Sequence, residues 1–322
     1  MSISRFLRSL LCVATLLSAA LFSVAAQAQV TRIVVPFNAG GATDSYVRAI
    51  ADEMTRRGIQ TIVENKPGGS GMIAADFVAR AKPDGLTLFM GSNSTLANNV
   101  VLFKKMTYDP FKAFTPVSHI GYQPSILIAR ADAPFTSLKE YVTYAKAHPG
   151  QINRASVGAG NITNLAGVML DRAAGITTTH IPYTGDPLAI QALLAGQVDV
   201  YVGSLTLALP YTQAGKLRVL GVFDDKRLEQ LPNTPTLKES GYNLDAYAWY
   251  CLVAPAGTPV ATVDKLNRTI NEILQDKEFV AHASQIGVVR RGGTPQELGQ
   301  FIQAEYDRWA PVLTELGLAK KF

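Results

Sequence analysis

Cysteine is nearly absent from this sequence. The chain has 322 residues and two cysteines, and Cys12 lies in an N-terminal segment that we expect to be removed. Cys251 alone would then remain, so no disulfide can form within the mature chain. The fold must depend on an apolar core, which a sequence with 48% hydrophobic residues can supply.

The sequence also lacks any concentration of basic charge. Its formal net charge is +5, and two of its arginines, Arg5 and Arg8, lie in the N-terminal segment. No run of Lys or Arg forms a patch, so we expect no nucleic-acid partner.

Metal and cofactor motifs are missing as well. The histidines are scattered, and none has the spacing of a zinc-binding pair: they are His119, His148, His180 and His282. No P-loop is present, and Thr163 stands where a dinucleotide fingerprint would need its third glycine. We therefore predict neither a metal nor a cofactor.

Hydrolase motifs do not occur either. The sequence has no G-x-S-x-G elbow. Cys251 lies in an apolar strand and His180 in a predicted strand, so we interpret both as structural. A meeting of Asp44 and Asp199 in space is the arrangement that the sequence leaves open. We predict that the chain is not an enzyme and keep a periplasmic hydrolase as the less favoured alternative.

Residues 1–28 have the pattern of a secretory signal peptide. Arg5 and Arg8 precede an apolar run over residues 10–24, and an A-x-A cleavage pattern ends at Ala28. The apolar run is too short to span a membrane comfortably. We expect cleavage near Ala28 and a periplasmic mature protein.

From residue 31 onward, short β-rich runs alternate with helical stretches. This alternation predicts an α/β fold with mainly parallel sheets. A strand, a glycine turn and a helix follow one another twice, as VVPFNAGGATD at residues 34–44 and RASVGAGNITN at residues 154–164. One such unit in each of two lobes would place both turns at a cleft. A further helix is predicted after Gly185, with Asp186 as its N-cap.

The glycine turns suggest an anion site. A helix N-terminus carries unpaired N–H groups and a partial positive charge, and glycine lets a ligand approach them. Two such ends facing one cleft could hold a carboxylate without arginine. Alternatively, the glycines only make tight turns, and Asp44, Asn161 and Asn164 only cap helices.

An ordered series of motifs resembles the periplasmic solute-binding proteins of tripartite tricarboxylate transport systems, the Bug proteins. The motifs are VPFNAGGATD (35–44), ENKPGGSG (64–71), AKPDGLTL (81–88), YDPFKAFTPVS (108–118), HIPYTGDPLAIQALLAGQVDV (180–200), AGKLRVLGV (214–222), LPNTPTLKESGY (231–242), APAGTP (254–259) and a match over residues 292–312.

The resemblance implies a two-lobed periplasmic binding protein of the Venus-flytrap kind, type II-like, with crossing hinge strands near residues 125–129 and 249–254. Lobe 1 would comprise residues 29–125 plus 249–322, and lobe 2 residues 126–248. It implies a monomer that captures a small carboxylate between the lobes and delivers it to membrane transporter subunits.

The resemblance and the glycine turns together predict a ligand site. Its residues are Phe37, Asn38, Gly41, Ala42, Thr43, Asp44, Ser92, Asn93, Gly160, Asn161, Thr163, Asn164 and Tyr183. Phe37 and Tyr183 could flank an apolar or aromatic ligand body, although packing in the core is an equally good role for Tyr183. Asp44 is expected to accept a hydrogen bond from the ligand. Relatives often have a histidine after the second glycine turn, where this chain has the neutral Asn164.

The ligand class stays open at this stage. A dicarboxylate and an aromatic acid such as terephthalate or nicotinate both fit, and an amino acid is a further candidate. The alternative within binding proteins is a ligand sensor that delivers to a signalling receptor.

Overall fold

The computed structural model describes residues 29–158 and 161–322, apart from the side chain of Ala42. The predicted signal peptide and Gly160 lie outside the described residues. Thr31–Phe322 form a single compact unit, to which all that follows refers.

The first of two five-stranded sheets has the order β2-β1-β3-β10-β4. Strands β1, β2 and β3 are parallel, and β10 runs antiparallel to both β3 and β4. The strands are β1 (Thr31–Val35), β2 (Thr61–Asn65), β3 (Thr87–Ser92), β4 (Phe114–Pro124) and β10 (Tyr247–Pro255). The helices around this sheet are α1 (Ala42–Arg56), α2 (Met72–Ala79), α3 (Asn99–Leu102), α8 (Val260–Ile273), α9 (Lys277–Gln285) and α10 (Pro295–Glu315).

The second sheet has the order β7-β6-β8-β5-β9. Strand β6 is parallel to β7 and β8, whereas β5 is antiparallel to β8 and β9. The strands are β5 (Ile126–Arg130), β6 (Asn153–Ser156), β7 (Thr179–Pro182), β8 (Val200–Gly203) and β9 (Leu217–Val222). The helices are α4 (Leu138–Ala147), α5 (Ile162–Ala174), α6 (Asp186–Leu194) and α7 (Leu205–Gln213).

Helices α1 and α5 follow the two glycine turns, as the sequence predicts. The apolar positions of α1, including Tyr46, Ile50 and Met54, are fully buried against the first sheet because they recur every three or four residues. Helix α5 ends at Gly175, whose φ of 62° suits glycine. The apolar face of each helix therefore fixes where its first turn points.

The sheets are joined by a short crossing. Strand β4 passes into β5 through Ser125, whose N–H donates to Ala246 O at 2.9 Å and whose carbonyl accepts from Phe223 N at 2.9 Å. The crossing therefore lies beside Ser125, Phe223 and Ala246, and β10 belongs wholly to the first sheet. The lobe boundaries at residues 125, 126, 248 and 249 stay a prediction.

The end of α10 packs against the second sheet. Trp309 and Leu313 belong to the apolar cluster that contains Leu127 of β5. Arg172 of α5 pairs with Glu315 at 2.6 Å. The C-terminal helix thus contacts elements around both sheets. Within the part of the chain that the structure describes, no helix has the length and apolar character needed to cross a membrane.

Candidate functional site

A cavity of about 40 Å³ lies between the two sheets, enough for a few water molecules or a small ligand group. Eight of the predicted site residues line it: Phe37, Asn38, Gly41, Thr43, Ser92, Asn93, Asn161 and Thr163. The other lining residues were missed by the sequence interpretation: Gln123, Pro124, Ser125, Val157, Gly185, Asp186, Gly203, Ser204, Ala248 and Tyr250.

Four helices begin at this cavity. Gly41 and Thr43 stand at the start of α1, and Asn161 and Thr163 at the start of α5. Residues 185–186 stand at the start of α6, and residues 203–204 stand at the start of α7. Each helix end presents unpaired N–H groups and a partial positive charge, so their convergence favours an anion.

The described lining contains no Lys, Arg or His side chain. A carboxylate in this cavity would therefore be held by backbone N–H groups and neutral side chains rather than by a salt bridge. Ligand binding then carries no free-energy cost for removing a cationic side chain from water. The partial positive charges of the helix N-termini need no rearrangement, because the fold already holds them in place.

The first glycine turn is held by Asp44. Its Oδ2 accepts from Gly40 N and from Arg48 Nε, both at 2.9 Å, and its Oδ1 accepts from Asn65 Nδ2 at 2.8 Å. Burial would raise the pKa of Asp44, but the hydrogen bonds from Arg48, Gly40 and Asn65 outweigh it and hold the pKa below its usual value. Asp44 does not line the cavity, so the structure places it as a support of the turn.

Replacing Asp44 with alanine should weaken every carboxylate ligand by a similar factor, whether or not the ligand carries an ammonium group. The change leaves Gly40 N and Asn65 without their acceptor, which should lower the free energy of unfolding by about 1–2 kcal/mol. Calorimetric titration and urea denaturation would measure both effects. Because the folded pKa is lowered, this contribution is present above pH 3.8 and is lost as the pH falls below it.

Asp52→Ala is the matched control for this variant, since Asp52 is exposed on the same helix. It should change neither affinity nor stability appreciably. A loss confined to ligands with an ammonium group in Asp44→Ala would instead place Asp44 in direct contact with the ligand.

The turn before α5 is held by its own side chains. Asn161 Oδ1 accepts from Thr163 N at 3.0 Å and caps the helix, and Thr163 Oγ1 accepts from Val157 N at 2.9 Å. Asn164 does not line the cavity; its Oδ1 and its carbonyl each lie 3.4 Å from Arg154 Nη1. Asn161 and Thr163 therefore combine a structural role with a position at the cavity.

The loop after β3 faces the cavity and also secures β10. Asn93 Nδ2 donates to Tyr247 O at 3.2 Å, and Asn93 Oδ1 accepts from Trp249 N at 3.0 Å. Ser92 N donates to Thr95 Oγ1 at 3.1 Å. Asn93 thus connects the end of β3 to the start of β10 through two hydrogen bonds.

The aromatic side chain beside the start of α1 is Tyr250 rather than Tyr183. Tyr183 follows the end of β7 and packs against the apolar cluster of the second sheet, outside the cavity lining. Tyr250 is 4% exposed and its hydroxyl lies 3.4 Å from Gln123 Oε1. Burial raises the pKa of Tyr250, so its hydroxyl stays protonated and can donate.

The start of α6 differs from its prediction. Gly185 is the N-cap and Asp186 the first helical residue, so the prediction of Asp186 as a cap was wrong. Gly185 lies against Asn38, since a β-carbon added there would be 3.5 Å from Asn38 Cβ. With glycine as the cap, the chain can approach the opposite rim closely, and Asp186 lines the cavity as the first residue of α6.

The two rims of the cavity touch each other. Asn38 Nδ2 donates to Thr184 Oγ1 at 3.1 Å. A β-carbon added at Gly158 would lie 3.8 Å from Ser70 Oγ. The Asn38–Thr184 hydrogen bond thus joins loops that belong to different sheets across the cavity. A ligand that is larger than the cavity requires the rims to move apart.

A family comparison decides what kind of protein presents this site. Residues 46–318 match the family described as the tripartite tricarboxylate transporter family receptor. The chain belongs to this receptor family. The sequence resemblance is thereby confirmed, and so is the two-lobed periplasmic binding protein fold.

Solved structures of similar proteins agree with this membership. The periplasmic binding protein BugD is 33% identical, with a TM-score of 0.86 over 90% of this chain and 98% of its own. R. palustris Rpa4515, solved with adipate, is 32% identical, with a TM-score of 0.87 over 90% and 97%. MatC from Rhodopseudomonas palustris, solved with bound malate, is 34% identical, with a TM-score of 0.83 over 88% and 98%.

Proposed function

We propose that this receptor-family member is a periplasmic solute-binding protein that captures a small carboxylate in the cavity between its sheets. The observation that carries the proposal is the convergence of four helix N-termini on a lining without a cationic side chain among its described residues. The adipate and malate of the two similar structures support the same ligand class.

Delivery to a membrane partner belongs to the same proposal. The protein would act as a monomer, close on its ligand, and present the closed surface to the membrane subunits of a tripartite tricarboxylate-type transporter. The family description supports this partnership. Export through residues 1–28 would place the mature protein in the periplasm.

We further propose that the chain binds its ligand without transforming it. Ser156 Oγ lies 2.6 Å from His180 Nε2, a pair that resembles a nucleophile and its base. Neither residue lines the cavity. Burial, with Arg154 nearby, lowers the pKa of His180 to about 4. A reactant held in the cavity would not reach this pair, and Arg154 opposes formation of an imidazolium.

A thermal-denaturation screen of the purified protein tests the proposal. The acids are succinate, malate, adipate, terephthalate, nicotinate and a set of amino acids, and each is paired with its amide. An acid present at 100 times its Kd should add about 2.7 kcal/mol of stability, whereas its neutral amide should add little. Equal melting temperatures with every acid and without any acid would contradict carboxylate capture.

A further inference from the structure

A buried serine and a histidine lie behind the second glycine turn. Ser156 is the last residue of β6 and is fully buried, and its Oγ lies 2.6 Å from Nε2 of His180 in the neighbouring strand β7. Neither residue belongs to the described lining of the cavity, so a ligand held there does not contact the pair. Burying polar groups costs free energy that their hydrogen bonds must offset, so the further partners of the pair indicate its role.

The Ser156 hydroxyl also reaches the glycine turn itself. Its Oγ lies 3.4 Å from the carbonyl oxygen of Gly158, and this oxygen accepts a hydrogen bond from Asn161 N at 3.1 Å. Gly158 has a φ of 105°, and fixing a glycine in one conformation costs more backbone entropy than fixing any other residue. Ser156 therefore contacts the carbonyl on which the turn before α5 closes.

The two contacts of Ser156 determine which atoms carry the protons. A serine hydroxyl has a single proton, and a carbonyl oxygen can only accept. The contact with Gly158 therefore uses the Ser156 proton, and Nε2 of His180 donates to Ser156 Oγ. Burial, with Arg154 nearby, lowers the pKa of His180 to about 4, so the ring is neutral at neutral pH and its single N–H is directed at Ser156.

The turn that is held in this way carries one of the helix starts of the cavity. Asn161 is the N-cap of α5 and lines the cavity, as do Val157 and Thr163. Backbone N–H groups bind an anion best when they already point at its position, because ordering them during binding costs entropy. A chain of hydrogen bonds from β7 to Gly158 holds the start of α5 in such an arrangement.

We propose that His180 is a positioning residue for ligand binding, which acts through the Ser156 hydroxyl to hold Gly158 and the start of α5 in the orientation that receives a carboxylate. The inference rests on the proposed capture of a carboxylate at helix N-termini. It gives the serine–histidine pair a role in binding, although the pair itself does not touch the ligand.

Hydrogen exchange of the unliganded protein, measured by nuclear magnetic resonance, tests whether the pair holds the turn. The amide of Asn161 should exchange about tenfold faster in Ser156→Ala than in the wild type, because the carbonyl that accepts from it is no longer fixed. The amide of Phe223, which donates to Ser125 O at 2.9 Å, should keep its rate. Ser118→Ala is the matched control, since Ser118 is equally buried and its hydroxyl has no partner within the described residues. It should leave the exchange of Asn161 unchanged.

Calorimetric titration tests the role in binding, with malate, adipate and every other acid that raises the melting temperature in the thermal screen. Ser156→Ala and His180→Leu should each weaken binding by about tenfold, and the double variant should bind no more weakly, because both changes break the same chain. His180→Gln places an amide N–H the same number of bonds from the backbone as Nε2, and should bind within about threefold of the wild type. His148→Leu removes a histidine that stacks on Tyr144 and should leave affinity unchanged.

The outcomes separate the positioning role from carboxylate capture. Wild-type exchange at Asn161 or wild-type affinity in a folded Ser156→Ala would overturn the positioning role and leave carboxylate capture standing. Additive losses in the double variant, or no recovery in His180→Gln, would do the same. If Ser156→Ala fails to fold, His180→Leu and His180→Gln decide by the same two measurements. Failure of every acid would overturn carboxylate capture itself, whereas the exchange of Asn161 would still show whether the pair holds the turn.

Discussion

Replacement of Arg154 with methionine is expected to lower the free energy of unfolding by about 3 kcal/mol, because it removes a buried cation from its hydrogen bonds and leaves the half-buried carboxylate of Asp171 unpaired. Arg154 is 2% exposed, and its Nη2 lies 3.6 Å from Asp171 Oδ2. Its Nε donates to Thr178 Oγ1 at 3.1 Å, and its Nη1 faces Asn164. The guanidinium packs on Gly167, where a β-carbon would lie 2.1 Å from Nη1.

Asp171 determines how this loss depends on pH. Burial raises the pKa of Asp171 even with Arg154 beside it, so removal of the cation should raise it further. A carboxyl group whose folded pKa is raised favours folding below its unfolded pKa of about 3.8 and loses that contribution as the pH rises through the folded pKa. Arg154→Met should therefore be least destabilised in acid, which urea denaturation across pH would measure.

Two further variants show whether the ion pair is the cause. Arg154→Met combined with Asp171→Leu should regain much of the lost stability, since no buried charge is then left unpaired. Arg80→Met removes an exposed arginine that pairs with Asp76, and should cost less than about 1 kcal/mol. Equal stability losses in the single and the double variant would contradict the role given to Asp171.

Replacement of Gly203 with alanine is expected to abolish tight ligand binding and to destabilise the second sheet by about 3 kcal/mol. A β-carbon at Gly203 would lie 2.0 Å from Tyr201 Cζ and 2.2 Å from its hydroxyl oxygen. The Tyr201 ring is fully buried among close-packed neighbours, so moving it costs more free energy than moving the end of a flexible side chain. The ring must therefore move, and with it Asp186, which accepts its hydrogen bond.

Gly299→Ala provides the matched glycine control for this prediction. Gly299 lies in α10, and its added β-carbon would be 3.6 Å from Pro116 Cγ, an ordinary contact. Alanine favours a helix more than glycine does, so this variant should be as stable as the wild type or slightly more stable. Calorimetry and thermal denaturation of both variants would measure the difference. Wild-type affinity in Gly203→Ala would show that Tyr201 and the start of α7 do not shape the site.

Much of the fold could be predicted from local sequence patterns. Helices α1 and α5 have apolar residues at helical spacing and begin at glycine turns, so both the elements and their starts were accessible. The starts of α6 and α7 were not assigned to the site, because only the tertiary fold brings residues 185–186 and 203–204 to the cavity that the start of α1 also lines. The residues around Ser204 contain no local pattern that predicts its position in the same cavity as the starts of α1 and α5.

The individual side chains of the site were harder to assign. The sequence left two roles open for Asp44, contact with the ligand and capping of α1, and its hydrogen bonds from Arg48 and Asn65 come from tertiary structure that no local pattern shows. Asp186 was interpreted as a cap, yet Gly185 takes that position. In both cases an aspartate beside a helix start is compatible with more than one role, so the residue type alone does not assign it.

A crystal structure of the protein with its tightest-binding carboxylate would test the account most directly. We predict that the carboxylate oxygens lie about 2.7–3.1 Å from backbone nitrogens in the first turns of the helices that meet at the cavity, with no Lys, Arg or His side chain in contact. A carboxylate bound outside this cavity, or paired with a cationic side chain, would contradict the central claim that helix N-termini hold the ligand.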